Sequence, residues 1–154
     1  LRMRKPVQGE EWIGMFIMPR ILHEKDGKII QELYPEIKNS FNHEVQEISF
    51  DQPFQLKTTF NKDSSLNLGG FKIDIQDDCL HLNREEVSIQ ENKVCNDVVS
   101  PKLQGRYDIE LYYDHHVFEI YINGGEYVMS QVVYDLNDQV IIQNTEYKVY
   151  VRSL

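Results

Sequence analysis

The sequence has 154 residues, the size of a single domain, and a chain of this length buries roughly two-thirds of the surface that it exposes when unfolded. Val, Ile, Tyr and Phe are plentiful and Ala is absent, which disfavours helices and predicts an all-β fold. The net charge of −9 repels phosphate backbones and anionic lipids, so it argues against nucleic-acid and membrane partners.

The N-terminal segment differs in charge from the rest of the chain. Residues 1–20 contain four basic and two acidic side chains, which gives 4 − 2 = +2. The chain begins with Leu1 and shows neither a signal peptide nor an apolar run of membrane-spanning length. Because the first residue is Leu1 and not Met, we expect the chain to be a piece of a longer protein, and the lack of a targeting signal then says little about the parent.

Turn signals recur at the short spacing that is typical of a β-sandwich or barrel. They are Asp26-Gly27, Gly69-Gly70, Asp77-Asp78 and Asn123-Gly124-Gly125. Between the first two, Pro35 precedes apolar Ile37 and Phe41, which are four residues apart, and this spacing predicts a turn or two of helix over residues 35–41.

The segment 108–129 predicts a three-stranded antiparallel meander. If His115-His116 is a two-residue turn, one face carries only apolar pairs: Tyr113 with Phe118, Leu111 with Ile120, and Ile109 with Ile122. The same parity places Tyr127 and Met129 on that core face. A slip of one residue would bury Glu110 and Glu119, so the register is strongly specified.

The opposite face of this meander carries tyrosines and carboxylates, and we expect it to be solvent-facing. Tyr112, Tyr121 and Glu119 could form a sugar-binding surface, because aromatic rings stack on sugars and carboxylates accept bonds from their hydroxyls. The alternatives are that another domain covers this face, or that the tyrosines shield strand backbone.

No pattern in the sequence indicates catalysis, a metal site or a cofactor. Asp114-His115-His116 contains common metal ligands, but adjacent residues in a turn point in different directions. The adjacent carboxylates Glu10-Glu11, Asp77-Asp78 and Glu85-Glu86 would face opposite sides of a strand, unlike a glycosidase pair. Cys79 and Cys95 suggest reduced thiols and a cytoplasmic protein, with one disulfide between neighbouring strands as the alternative.

Two blocks resemble the C-terminal module of glycoside hydrolase family 32, the invertase and β-fructosidase family. Residues 12–20, WIGMFIMPR, resemble its W-x-G-x-x-x-x-P-R junction, and residues 114–126, DHHVFEIYINGGE, resemble its D-x-S-x-V-E-V-F-x-N-x-G-E hairpin. His116 stands where the family commonly has Ser, and Ile21 stands where an acidic residue is usual.

The resemblance implies a two-sheet, concanavalin- or galectin-like jelly roll over residues 12–154, with residues 1–11 ending a catalytic propeller or forming a linker. It implies a surface facing that propeller, with the candidates Trp12, Met15, Phe16 and Arg20. The partners would be the N-terminal propeller of the same parent chain and a second copy of the module in a homodimer.

The family's catalytic motifs, W-M-N-D-P-N-G, R-D-P and E-C, do not occur in this sequence. The resemblance therefore implies a non-catalytic module that stabilises the propeller of a cofactor-free β-fructofuranosidase. The parent's substrate would be sucrose, sucrose 6-phosphate or a fructan. An independent, lectin-like carbohydrate-binding module is the alternative.

Overall fold

The computed structural model describes residues 16–88 and 96–153. Over these residues the chain forms thirteen strands, one short α-helix and a 3-10 turn at Glu85–Val87. In chain order the elements are β1 (Arg20–Lys25), β2 (Lys28–Leu33), α1 (Pro35–Ser40), β3 (Phe41–Val45), β4 (Phe54–Thr59), β5 (Ser65–Leu68), β6 (Phe71–Gln76), β7 (Cys79–Asn83), β8 (Asp97–Val99), β9 (Asp108–Asp114), β10 (Val117–Ile122), β11 (Tyr127–Val132), β12 (Val140–Gln143) and β13 (Tyr147–Arg152).

Two antiparallel sheets form a β-sandwich, which confirms the predicted fold class. The six-stranded sheet has the order β11-β10-β9-β4-β13-β3, and the five-stranded sheet has the order β12-β5-β6-β7-β8. The β1–β2 hairpin is a separate two-stranded sheet. Within the described ranges, no helix is long and apolar enough to cross a membrane.

The core lies between the two sheets and is built from alternate residues of each strand. Phe118 of β10 stacks on Phe71 of β6 across the sandwich, with ring centroids 4.7 Å apart. Leu111 and Ile120 are fully buried in the same cluster. Side chains that alternate in this way fill the interior from both sheets and form the main core between them.

The predicted meander register is confirmed. β9 and β10 pair Tyr113 with Phe118, Leu111 with Ile120, and Ile109 with Ile122. The next connection is longer than a two-residue turn, because Ile122 pairs with Tyr127 and four residues intervene. Two additional residues preserve parity, so Met129 still faces the core.

The predicted hairpin at Asp26-Gly27 and the predicted helix at α1 are also confirmed. Lys25 pairs with Lys28, and both intervening residues have positive φ, as the favoured two-residue hairpin turns require. Pro35 begins α1, where its missing N–H removes no helical hydrogen bond.

The prediction that the second face of the meander meets solvent is wrong at its centre. Tyr112 and Glu119 are fully buried, and Tyr121 is 4% exposed. The chain's own β1–β2 hairpin and α1 cover this face, where Leu33 and Phe41 pack with both tyrosines in a second apolar cluster. Alternation assigns side chains to faces, but it does not reveal what covers each face.

Candidate functional site

The most distinctive polar site lies where the chain enters the sandwich, between the β1–β2 hairpin and the outer face of β10. Arg20, the first residue of β1, reaches Glu119 in the middle of β10, and the Nη2–Oε2 distance is 2.9 Å. The Glu119 side chain is fully buried and the Arg20 side chain is 15% exposed. We call Met18, Arg20, Gln31, Glu119 and Ser130 the junction site.

Every oxygen of the Glu119 carboxylate has a donor. The Met18 backbone N–H donates to Oε1 at 2.6 Å, and the Tyr121 hydroxyl donates to Oε2 at 3.1 Å alongside Arg20. A carboxylate placed out of water must be paired and hydrogen-bonded, since its desolvation costs several kcal/mol. The junction site meets that requirement only while residues 18–20 stay bonded to Glu119.

Arg20 contacts three separate strands. Its Nη1 donates to the Gln31 side chain of β2 at 3.2 Å, and its Nη2 donates to Ser130 Oγ of β11 at 2.9 Å. The guanidinium carbon lies 5.6 Å from the centroid of the Tyr121 ring. The planar guanidinium directs its N–H groups to several partners at fixed angles. The ammonium group of a Lys side chain is a poor substitute for it.

A backbone contact beside the junction site holds the β1–β2 hairpin close to the loop between β10 and β11. The Gln31 N–H donates to the Gly125 carbonyl at 3.0 Å. A Cβ at Gly125 would lie only 2.1 Å from the Gln31 carbonyl oxygen, whereas a Cβ at neighbouring Gly124 would meet no atom within 4 Å. Glycine at 125 is therefore required for close approach, and glycine at 124 is not.

A second polar cluster extends from the junction site beneath α1. The Tyr112 hydroxyl donates to Glu110 at 2.8 Å and accepts from Gln55 at 2.5 Å, and Lys38 of α1 lies 3.2 Å from Glu110. Burial raises the pKa of the Tyr112 phenol, and the Glu110 charge adds to that rise. Burial and the Glu119 charge raise the pKa of Tyr121 in the same way.

Exposed apolar side chains are concentrated around the junction. Nine large hydrophobic residues are exposed among the described residues, and six of them lie between residues 16 and 34. These six, which we call the junction patch, are Phe16, Ile17, Ile21, Leu22, Ile29 and Tyr34. Ile29 pairs with Glu24, which lies two residues after Leu22 on the same strand. Paired residues and residues two apart lie on one face of a hairpin, so Leu22 and Ile29 share a face.

The predicted propeller-facing residues divide into three groups. Trp12 and Met15 lie outside the described residues. Phe16 is fully exposed and belongs to the junction patch. Arg20 directs its guanidinium into the sandwich of its own chain, because the buried Glu119 carboxylate attracts it there.

The predicted sugar-facing residues do not form an accessible surface. Tyr112, Tyr121 and Glu119 do lie together, and the two tyrosine rings make an edge contact with centroids 5.5 Å apart. The hairpin and α1 cover all three. Glu119 is bonded to Tyr121 and Arg20, and Tyr112 is bonded to Glu110 and Gln55, so none of the three offers a free polar group to solvent. The three residues do lie together, as predicted. The prediction was wrong because it did not anticipate that other parts of the chain cover them.

Sequence reasoning missed Gln31, Ser130, Lys38 and Gln55 as partners. One signal was available: Glu119 stands between apolar neighbours in a strand whose alternate residues form the core, so a cation was needed if that face was covered. No pattern in the sequence specified which cation. Arg20 lies 99 positions away from Glu119 in the chain.

The histidines and cysteines form no further site that the structure describes. His115 sits at an exposed hairpin tip with its Nδ1 2.6 Å from Asp114, and the described ranges contain no group of three His, Cys, Asp or Glu side chains that could hold a metal. Cys79 is half-buried and carries a free thiol. Cys95, its predicted alternative partner, lies outside the described residues.

Comparisons with known proteins match this arrangement to one family. Residues 31–152 match the family model for the C-terminal region of glycosyl hydrolases of family 32. A sucrose-6-phosphate hydrolase of Vibrio alginolyticus is 27% identical in an alignment 148 residues long that covers 86% of this chain and 30% of that protein.

Two solved structures share the sandwich. The sucrose-6-phosphate hydrolase of Lactobacillus gasseri superposes with a TM-score of 0.71 at 18% identity, covering 87% of this chain and 33% of that one. A β-fructofuranosidase of Bombyx mori from family 32 gives 0.66 at 16% identity, covering 92% and 33%. The chain thus spans about a third of the length of these relatives.

Proposed function

Because this chain belongs to the C-terminal domain family of the family 32 glycosyl hydrolases, we propose that it is the non-catalytic module of a β-fructofuranosidase acting on sucrose or sucrose 6-phosphate. In this proposal residues 12–154 form the module, and its role is to stabilise the N-terminal catalytic propeller of the same parent protein. The substrates named for the relatives support this assignment, and so does the sequence's lack of the three catalytic motifs of the family.

The observation that carries the proposal is the junction patch. Six of the nine exposed large apolar side chains lie within the segment that enters the sandwich. Large exposed apolar side chains that share a face, as Leu22 and Ile29 do on the hairpin, mark a contact surface. An interface between domains of one chain typically buries about 600–1,500 Å², which a hairpin and its approach segment can supply together with the rim of the sandwich.

The junction site explains how such an interface would be held in a fixed orientation. Residues 18–20 are bonded to β10 through the Met18 N–H and the Arg20 guanidinium, so the approach segment cannot swing freely over the sandwich. A patch presented on a segment that is fixed in this way loses little conformational entropy when it docks. We infer that the junction site positions the junction patch against the propeller.

The interface is tested by co-expressing the chain with the propeller of its parent as separate pieces. We expect the two pieces to co-purify, and we expect Leu22→Asp with Ile29→Asp to abolish the pairing. The matched control is Ile141→Asp, an exposed residue of β12 in the other sheet. If the double variant and the control retain the propeller equally, the junction patch is not the interface.

The non-catalytic role has a separate test. The chain should release no fructose from sucrose, sucrose 6-phosphate or inulin above the buffer background, because Glu119 and Glu110 are held in hydrogen bonds and no family catalytic motif is present. The preparation must be free of host invertase. Fructose release that scales with the concentration of the pure chain would contradict this part of the proposal.

Two finer assignments complete the proposal. Without the propeller, the junction patch faces water, so we expect the isolated chain to self-associate as a homodimer through the same residues. Light scattering of the Leu22→Asp, Ile29→Asp variant should then give the mass of a monomer. We also assign the parent to the cytoplasm, because Cys79 is a free thiol in a chain with only two cysteines.

A further inference from the structure

The connection between β10 and β11 contains the only Asn-Gly pair in the sequence, Asn123-Gly124. In such a pair the backbone nitrogen of the glycine can attack the side-chain amide of the asparagine, because the glycine has no Cβ to obstruct the approach. The proposed function of the module does not use this pair. Its surroundings in the fold decide when the reaction can take place.

The reaction replaces the side-chain amide by a carboxylate and consumes water. The Gly124 nitrogen forms a bond to Asn123 Cγ and gives up its proton, while the Cγ–Nδ2 bond breaks and Nδ2 leaves with that proton as ammonia. Water then opens the cyclic imide, adding its hydroxyl to one carbonyl carbon and its other hydrogen to the glycine nitrogen. Attack at Cγ yields aspartate, and attack at the main-chain carbonyl carbon yields isoaspartate, in which the backbone runs through Cγ.

In the folded chain the amide of Asn123 is held at both ends. Its Oδ1 accepts the Asp108 N–H at 3.1 Å, its Nδ2 donates to the Arg106 carbonyl at 2.9 Å, and the residue is 7% exposed. Attack on Cγ moves the amide out of its plane and expels Nδ2. It therefore disrupts these bonds in a buried place, where a polar group without a partner is costly.

The backbone on either side of the reacting atoms is fixed as well. The Asn123 N–H donates to the Asp108 carbonyl at 2.8 Å, and the Gly125 N–H donates to the Ile122 carbonyl at 3.1 Å. These bonds enclose the two residues of the pair, whose φ angles are 52° and 71°. The fold restrains both the attacking nitrogen and the group that it attacks, and unfolding releases both.

Neither product fits the native connection. In aspartate a carboxylate oxygen replaces Nδ2 opposite the Arg106 carbonyl, so two acceptors face each other. In isoaspartate the backbone gains one atom shortly before Gly125, whose carbonyl accepts the Gln31 N–H at 3.0 Å. That approach is already so close that an added Cβ at Gly125 would lie 2.1 Å from the Gln31 carbonyl oxygen. A longer backbone displaces this contact with the β1–β2 hairpin.

We propose that Asn123-Gly124 is a deamidation site that the fold protects and that reacts when the chain unfolds. Because ammonia is lost, refolding does not reverse the change. The reaction therefore marks a chain that has stayed unfolded, and it weakens the native contact between the hairpin and the β10–β11 connection. The contacts involved all lie within this chain, so the inference does not rest on the proposed function.

Mass spectrometry of proteolytic peptides tests the protection. The chain is incubated in mildly alkaline buffer, folded in one sample and unfolded by urea in the other, and conversion of Asn123 is followed by the mass gained when NH2 becomes OH. We expect the folded chain to react about tenfold or more slowly, since leaving one buried polar group unpaired accounts for a factor of that order. Equal rates, or no conversion in urea, would overturn the proposal.

The β1–β2 turn provides a matched control, because its two residues have nearly the same φ angles, 52° at Asp26 and 75° at Gly27, and Asp26 is exposed. Asp26→Asn creates a second Asn-Gly pair there, and Glu24→Ala in the same chain frees the Gly27 N–H from its bond to that side chain. In the folded variant we expect position 26 to convert about tenfold or more faster than Asn123. Equally slow conversion at both positions would contradict protection by the bonded amide.

Hydrogen exchange tests the effect on the hairpin. The reacted chain is refolded, and its isoaspartate form is separated by chromatography. The Gln31 amide, which donates to Gly125, should exchange about tenfold or more faster in this form than in an unreacted chain refolded in the same way. Unchanged exchange at Gln31 would show that the longer backbone is accommodated and would overturn this part of the proposal.

If the isoaspartate form does not refold, Asn123→Asp gives the second measurement. Its control is Asn137→Asp, because Asn137 is exposed and its Oδ1 accepts the Gln139 N–H, a role that a carboxylate also fills. We expect the urea midpoint of Asn123→Asp to lie below that of the control, since only the former loses a donor to a buried carbonyl partner. Equal midpoints would overturn the proposed effect of the modification.

Discussion

Removing Arg20 alone from the Arg20–Glu119 pair should destabilise the fold at least as much as removing both charges. At 2.9 Å the attraction between the two charges is about 6 kcal/mol at an effective dielectric constant of about 20, and desolvation of the pair offsets much of it. Arg20→Met leaves the fully buried Glu119 charge with only the Met18 and Tyr121 donors. We expect a loss of about 3 kcal/mol, near the low end for a broken buried pair.

Glu119→Gln should cost less, about 1–2 kcal/mol, because Arg20 retains some solvent and its bonds to Gln31 and Ser130. The double variant removes both charges, so we expect it to be no worse than Arg20→Met alone. The coupling free energy of the cycle should then be about 1–2 kcal/mol in favour of the pair.

Urea unfolding followed by circular dichroism measures all four proteins. For a chain of this length, a loss of about 3 kcal/mol lowers the thermal midpoint by roughly 6–12 °C, which provides a second readout. Strict additivity of the two single changes would refute the reasoning, because it would mean that the charges do not interact. A stability of Arg20→Met equal to that of the parent chain would show that the hairpin is not held by this pair.

Three further changes test other parts of the structure. Gly125→Ala should destabilise the chain by about 2 kcal/mol more than Gly124→Ala, because only the first meets the hairpin backbone; equal urea midpoints would disprove that contact. The unfolding free energy should fall as pH rises above about 10, since Tyr112 keeps its proton to higher pH when folded than when unfolded, and Tyr112→Phe should make this decline shallower. Leu111→Asp should cost about 3 kcal/mol or more, while the same change at the exposed Val99 should stay within about 0.5 kcal/mol; similar losses would contradict the assigned core face.

The register of the meander was predictable because its information is local. Residues 109–122 alternate between apolar and polar side chains around a short turn, and only one register keeps Glu110 and Glu119 out of the core between the sheets. The hairpin at Asp26-Gly27 and the start of α1 at Pro35 were predictable for the same reason. In both places the residues themselves favour the backbone conformation that is needed, which is positive φ in the turn and a fixed helical φ at the start of the helix.

The candidate site was predictable only in part. The two resemblance blocks contain both partners of the ion pair, Arg20 in the junction and Glu119 in the hairpin, but a resemblance of linear segments does not say that they meet. Expecting Arg20 to face another domain and Glu119 to face solvent was reasonable for charged side chains considered one at a time. Brought together, the two charges neutralise each other, and burial becomes tolerable.

The sequence by itself determined the all-β fold class, the positions of the turns, the register of the meander and the family. All of these depend on composition, on side-chain periodicity or on short motifs. Only the tertiary structure decided what covers the second face of the six-stranded sheet. That choice depends on how a hairpin at residues 20–33 packs on strands about a hundred residues later, where Gly125 permits close approach and Arg20 compensates Glu119. Contacts between distant segments leave no periodic trace in either segment, so the buried junction site emerges only when the chain is folded.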